Sequence, residues 1–200
     1  AAYLMNANAD CAAFEKRIDA ASLRTIRAML ARQFNSPLTS SVGRLFDAVA
    51  SLIGLRDTVS YEGQAAMELE WLASSVPRNG SYSFEISAAN PGITINLQPM
   101  IRDMAKDVDA GVDGARIARR FHSTLVEMIS QVCGEIRKTT RIGAVVLSGG
   151  VFMNSLLSVE TSEQLSSDVF RVFRHRLVPP NDGGLSLGQI AIAASQMNSA

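Results

Sequence analysis

Three observations predict a helix-rich α/β fold. Apolar side chains recur at helical spacing over most of the chain, at greatest length across 113–140. Two short β-type runs, 143–147 and 169–173, alternate with helical segments late in the sequence. The chain has 200 residues, 47% of them hydrophobic, which suffices for a sizeable core in one or two domains.

The elements follow in order. Residues 10–33 place Phe14, Ile18, Leu23, Ile26 and Leu30 at helical spacing with charged residues between them. Breakers in NSPLTSS, 35–41, end that segment. A helix over 42–55 carries Leu45, Phe46, Val49, Leu52 and Ile53 on one face and stops near Gly54. A third helix runs from about 62 to 75, with Ala66, Leu69 and Leu72 inward. After the turn PRNGS, residues 82–87 and 92–96 alternate as a short hairpin joined by AANPG. Helices follow at 98–109 and 113–140, the latter with a stripe of Ile117, Phe121, Leu125, Ile129, Val132 and Ile136. Strand 143–147 leads into a helix at about 150–165, then strand 169–173, loop 179–184 and a closing helix at 185–197.

Composition excludes several function classes. The formal net charge is +0, and no basic run interleaved with aromatics marks a nucleic-acid surface. No stretch of about 18 apolar residues is present to span a membrane. The two cysteines, Cys11 and Cys133, have neither metal-ligand spacing nor a disulfide framework, which fits a reducing, cytoplasmic setting. The opening AAYLMNANAD has no basic n-region and no initiator Met, and reads as a cut inside a longer protein, whether natural or artificial.

Four polar clusters interrupt the periodic pattern. In VVLSGGVFMNSLL, 145–157, a buried run stops at Ser148 and enters a helix through Gly149 and Gly150. Glycines let an anion approach a helix start, so Ser148, Gly149, Gly150 and Asn154 are candidates to face one; the alternative is a tight structural turn. In VPPNDGGLSLGQ, Asp182 is either a helix N-cap or a carboxylate ligand for a metal or phosphate site, held on a turn that two prolines stiffen. In SSVGRLFDAVA, Asp47 is either an i,i+3 partner of Arg44 or an acceptor for a ribose hydroxyl pair. In YEGQAAMELE, Gly63 lies at a helix start, where it costs helix stability unless close backbone approach requires it, and Glu62 and Gln64 are first-turn cap candidates. His122 reads as a surface or satisfied core residue with no partner at i±4, and His175 as a weaker site candidate seven residues before Asp182. Cys133 reads as a small packed hydrophobe, and Cys11 as incidental.

Taken in chain order, SSVGRLFDAVASLIG, YEGQAAMELE, VVLSGGVFMNSLL and VPPNDGGLSLGQ resemble the C-terminal part of the hydrogenase maturation carbamoyltransferase family HypF, over nearly the whole chain. The resemblance implies a Kae1-like domain of the actin, sugar-kinase and Hsp70 ATPase superfamily. It makes residues 1–200 the C-terminal portion of that domain, without the first half of the domain and without the upstream HypF domains. It also implies a mechanism. Carbamoyl phosphate and ATP give a carbamoyl-adenylate, whose carbamoyl group passes to the C-terminal cysteine of the partner HypE, where it becomes the source of the cyanide ligands of NiFe hydrogenase. Carried over by motif, Gly149, Gly150 and Asn154 contact the nucleotide, Asp47 holds the ribose, Gly63 lines the same pocket and Asp182 is a metal ligand. The family's metal also requires two histidines of an H-x-x-x-H string, and this chain has none. The same resemblance leaves two other readings: a threonylcarbamoyl transferase of the tRNA-modifying type, which YEGQAA and the neutral charge disfavour, and a non-catalytic docking fragment for HypE.

Overall fold

The computed structural model describes residues 1–89 and 92–197. It divides into two compact units, Ala1–Met128 and Ile129–Ala200.

The first unit is helical with one hairpin. Helices α1 (Ala2–Asn6), α2 (Ala12–Glu15), α3 (Ala20–Ala31), α4 (Val42–Leu52) and α5 (Gln64–Ser74) precede β1 (Glu85–Ala88) and β2 (Ile93–Asn96). Helix α6 (Gln98–Asp109) and the start of α7 (Gly114–Thr140) complete it. The segment expected as one helical stretch over 10–33 is two helices. Asp19 caps α3 by accepting the Ser22 N–H at 2.8 Å, which fixes a new helix start there. Ser41 caps α4 in the same way, and Gly54, at φ 76°, follows its end. Strands β1 and β2 pair antiparallel with Glu85 opposite Asn96; the middle of the AANPG connection, 90–91, lies outside the described residues.

The core of this unit gathers the apolar faces of α4 to α7. Leu45, Phe46, Val49 and Leu52 of α4 are buried, as expected from their spacing. On α5 Leu69 is fully buried as expected, with Ala65 and Ala73 completing a stripe of i, i+4, i+8, while the expected Ala66 and Leu72 are half-buried beside it. Burying a residue such as Leu69 completely is worth about 1.5–3 kcal/mol. Phe46 meets Phe121 edge-on at 4.9 Å between ring centroids, and both rings contact His122. Cys11 is fully buried rather than incidental: Asp109 accepts the backbone N–H groups of Ala12 and Ala13 at 3.1 and 2.8 Å and faces the Cys11 thiol.

The second unit begins within α7 and contains β3 (Ala144–Leu147), a 3-10 turn (Gly150–Met153), α8 (Ser155–Ser167), β4 (Arg171–Arg174), a second 3-10 turn (Asp182–Gly184) and α9 (Leu185–Met197). Strands β3 and β4 are parallel, in register from Ala144 opposite Arg171 to Leu147 opposite Arg174, with α8 as the crossover. One sheet face packs Leu147 and Phe170 on Leu165, with Ile129 and Cys133 of α7 against them. The end of α8 is fixed by Asp168, whose carboxylate accepts from Ser130 at 2.5 Å and whose carbonyl accepts from Arg137 at 2.8 Å. The Arg137 guanidinium also lies 3.8 Å over the Phe170 ring. Val169, expected to open the strand, instead sits in the left-handed region at φ 64° as the residue after the α8 cap. Among the described residues no helix is long and apolar enough to cross a membrane.

Candidate functional site

The second unit brings two of the sequence motifs to one place, the C-terminal ends of its parallel strands. Ligands of open α/β sheets bind outside such strand ends, because there the chain turns into helix N-termini and exposes backbone N–H groups. Beyond Leu147 the chain passes through Ser148 and Gly149 into the 3-10 turn; beyond Arg174 it passes through His175 and the two prolines into the second 3-10 turn.

Gly149 adopts φ 96°, ψ 158°, a conformation open essentially to glycine alone. A Cβ there would meet nothing within 4 Å, so backbone strain and not crowding selects the glycine. Its N–H donates to the Pro180 carbonyl at 2.8 Å, which ties the Ser148–Gly150 turn to the PPND loop. Gly150 has ordinary φ, and a Cβ there would find only the Asn181 Cβ at 4.0 Å. Neither the Gly150 nor the Val151 amide has a hydrogen-bond partner among the described residues. These are the unsatisfied donors that a helix start leaves; Gly150 is exposed and Val151 half-buried. Asn154 is buried, and its side chain accepts the Leu157 N–H at 2.8 Å, which caps α8 and separates it from the 3-10 turn within what the sequence reads as one helix.

The PPND loop is set by its own local bonds. Asn181, not Asp182, is the cap: its Oδ1 accepts the Gly183 N–H at 3.1 Å. Gly184 is required sterically, since a Cβ would lie 2.8 Å from the Pro179 carbonyl oxygen. Asp182 is exposed, and its carboxylate has no hydrogen-bond or ion-pair partner among the described residues. No group of three or more His, Cys, Asp or Glu that could hold a metal comes together among the described residues. One carboxylate leaves most coordination positions of a divalent metal to water. The residues present therefore do not make a metal centre by themselves.

The other two candidates belong to the first unit. Asp47, half-buried on α4, pairs with Arg44 at 3.5 Å, the i,i+3 arrangement that its spacing allows. Gly63 is the N-cap of α5 at φ 81°, with no atom within 4 Å of a built Cβ. Its left-handed backbone accounts for the glycine without any close approach. Gln64 holds the same turn by accepting the Ser60 N–H at 2.8 Å and donating to Glu68, itself bridged by Arg56.

Two side chains acquire partners that sequence reasoning missed. Contrary to the expectation of no partner at i±4, His122 has one at i−4, because the ring reaches back to the preceding turn and Nδ1 lies 2.8 Å from the Ala118 carbonyl. His175 reaches Ser148, with Nε2 2.9 Å from Oγ. The two are 27 apart in sequence, and only the parallel pairing of β3 and β4 makes them neighbours.

A family model, carbamoyltransferase, Kae1-like domain, second subdomain, matches residues 1–189. The chain is 36% identical over 193 residues to carbamoyltransferase HypF2 of Cupriavidus necator, covering 84% of this chain and 23% of that protein. To carbamoyltransferase HypF of Rhodobacter capsulatus it is 34% identical over 174 residues, 86% of this chain and 22% of the relative. The crystal structure of full-length HypF in its phosphate- and nucleotide-bound form superposes with a TM-score of 0.86 at 40% identity, over 92% of this chain and 24% of that one. The chain thus spans less than a quarter of the length of these relatives. It belongs to the HypF carbamoyltransferase family, as the second subdomain of the Kae1-like domain.

Proposed function

We propose that this chain is the nucleotide-holding part of a carbamoyltransferase that uses carbamoyl phosphate and ATP, through a carbamoyl-adenylate, to carbamoylate the C-terminal cysteine of HypE in NiFe hydrogenase maturation. The observation that carries the reading is the pair of open amides, Gly150 and Val151, at the end of β3. Oriented N–H groups at a helix start suit an anionic phosphate oxygen, and the bare Gly150 lets that oxygen come close. A solved relative in nucleotide-bound form supports the same reading.

In the transfer step the partner's thiolate sulfur attacks the carbamoyl carbon, the bond from that carbon to the adenylate oxygen breaks, and the electron pair leaves on AMP. Fixed amide donors stabilise the charge that accumulates on the leaving phosphate, and they need no reorganisation to do so. The acceptor is expected on the partner. Cys11 is fully buried and Cys133 half-buried, and burial pushes both thiols up, away from the reactive thiolate. No step is assigned to a metal.

Calorimetric titration of the chain with ATP and Mg²⁺ tests the proposal. Micromolar binding is expected, and Gly150→Val should abolish it while leaving the urea midpoint nearly unchanged, because an added Cβ meets only the Asn181 Cβ at 4.0 Å, an ordinary contact. Unaltered binding by Gly150→Val would move the nucleotide elsewhere.

A further inference from the structure

We propose that His175 is a positioning residue for the nucleotide turn, and that it sets the direction in which the Ser148 hydroxyl donates. The inference rests on the nucleotide reading above, in which Ser148 is only one candidate to face an anion and His175 has no role.

The backbone ladder of β3 and β4 ends at Leu147 opposite Arg174. Ser148 and His175 are the next residues on the two strands, and their side chains continue the pairing where the ladder stops, Oγ to Nε2 at 2.9 Å. The Gly149 N–H to Pro180 carbonyl bond is the second tie between the same two segments. Between these two ties sits the Gly-only conformation of Gly149, and directly after it the open amides of Gly150 and Val151. The pair therefore braces the turn that presents the donors.

The chemistry of the pair decides what the turn offers. A serine hydroxyl has one proton and can direct it to one acceptor. If Nε2 accepts that proton, Ser148 presents only lone pairs outward and repels an anionic oxygen. If Nε2 carries the hydrogen and donates to Oγ, the Ser148 proton is released and adds a third donor beside the two amides. An anionic nucleotide oxygen stabilises the second arrangement. In that state His175 Nε2 is a donor, Ser148 Oγ–H points to the ligand, and His175 itself need not touch it. Both side chains are exposed, so the bond contributes little to the fold and its effect falls on binding.

The test compares Ser148→Ala, His175→Ala, His175→Gln and His175→Glu with the unmodified full chain, titrated with ADP and with adenosine in the presence of Mg²⁺. A hydrogen bond to a charged group implies a loss of about tenfold or more in ADP affinity for Ser148→Ala, and loss of the group that orients the hydroxyl implies a smaller loss, about threefold, for His175→Ala. His175→Gln, which keeps a side-chain N–H donor, should retain most of the affinity. His175→Glu, which offers only acceptors and so holds the Ser148 proton away from the ligand, should lose at least as much as Ser148→Ala. Adenosine affinity, with no phosphate to meet the hydroxyl, should stay within about twofold throughout, and the double Ser148→Ala/His175→Ala variant should be no weaker than Ser148→Ala alone. Retention of ADP affinity by His175→Ala, with the unmodified chain binding ADP, would overturn the His175 assignment and leave the nucleotide site standing. Equal losses for His175→Gln and His175→Ala, or parallel losses for adenosine, would reduce the pair to a structural brace and overturn it too. Absence of ADP binding by the unmodified chain would overturn both this assignment and the nucleotide reading.

Discussion

Acidification should weaken the first unit through one residue, His122. The imidazole is fully buried, edge-on to Phe46 and Phe121, with Nδ1 on the Ala118 carbonyl. Burial pulls its pKa down from 6.5 to about 4; the Arg119 charge acts in the same direction, and the Ala118 carbonyl opposes both. The folded chain thus protonates this group only near pH 4, whereas the unfolded chain does so from about 6.5. Folding stability contributed by the neutral ring is complete above the unfolded value and is lost as pH falls toward the folded one. The full difference corresponds to roughly 3 kcal/mol, and to roughly 2 kcal/mol at pH 5. The perturbation is His122→Gln, which is polar, near in volume and without a titration in this range. The assay is urea unfolding followed by circular dichroism at pH 7.5 and pH 5.0. The unmodified chain should lose roughly 2 kcal/mol more than the variant between the two pH values. Equal losses in both proteins would refute the reasoning, because they would assign the acid sensitivity to other groups.

Two further outcomes follow from local geometry. Val169 is β-branched, 84% exposed and held at φ 64° after the α8 cap, so Val169→Gly should raise the urea midpoint by an amount corresponding to about 0.5–1 kcal/mol; an unchanged or lower midpoint would deny the strain. If Asp47 holds a ribose as the family resemblance implies, Asp47→Asn should weaken ATP binding about tenfold in calorimetry, whereas loss of the exposed Arg44 pair alone would leave the affinity unchanged.

Long periodic segments were legible because period and burial coincide. Residues 98–109 form the expected helix, and the long stripe of α7 is buried at Ile117, Phe121 and Leu125 before fading to the exposed Ile136. Short-range bonds defeated the same reading elsewhere. The five-residue α1 offers too little pattern, Asp19 starts a new helix inside an apparently continuous one, and Asn154 ends a 3-10 turn and caps α8. Asn181 holds the capping role, one of the two alternatives for Asp182, because its amide oxygen meets the Gly183 N–H. The motif strings made the strand-end turns legible one at a time. Their meeting in the second unit depends on the parallel pairing of β3 with β4, which no local pattern encodes, and the Ser148–His175 contact was hidden for the same reason.

The central claim is that the Ser148–Gly150 turn receives the nucleotide through its open amides, and amide-resolved NMR with ADP and Mg²⁺ addresses it most directly. The account predicts the largest chemical-shift changes, and new protection from solvent exchange, at Gly150 and Val151, with Gly149 next. Saturable binding that leaves those amides unshifted would contradict it.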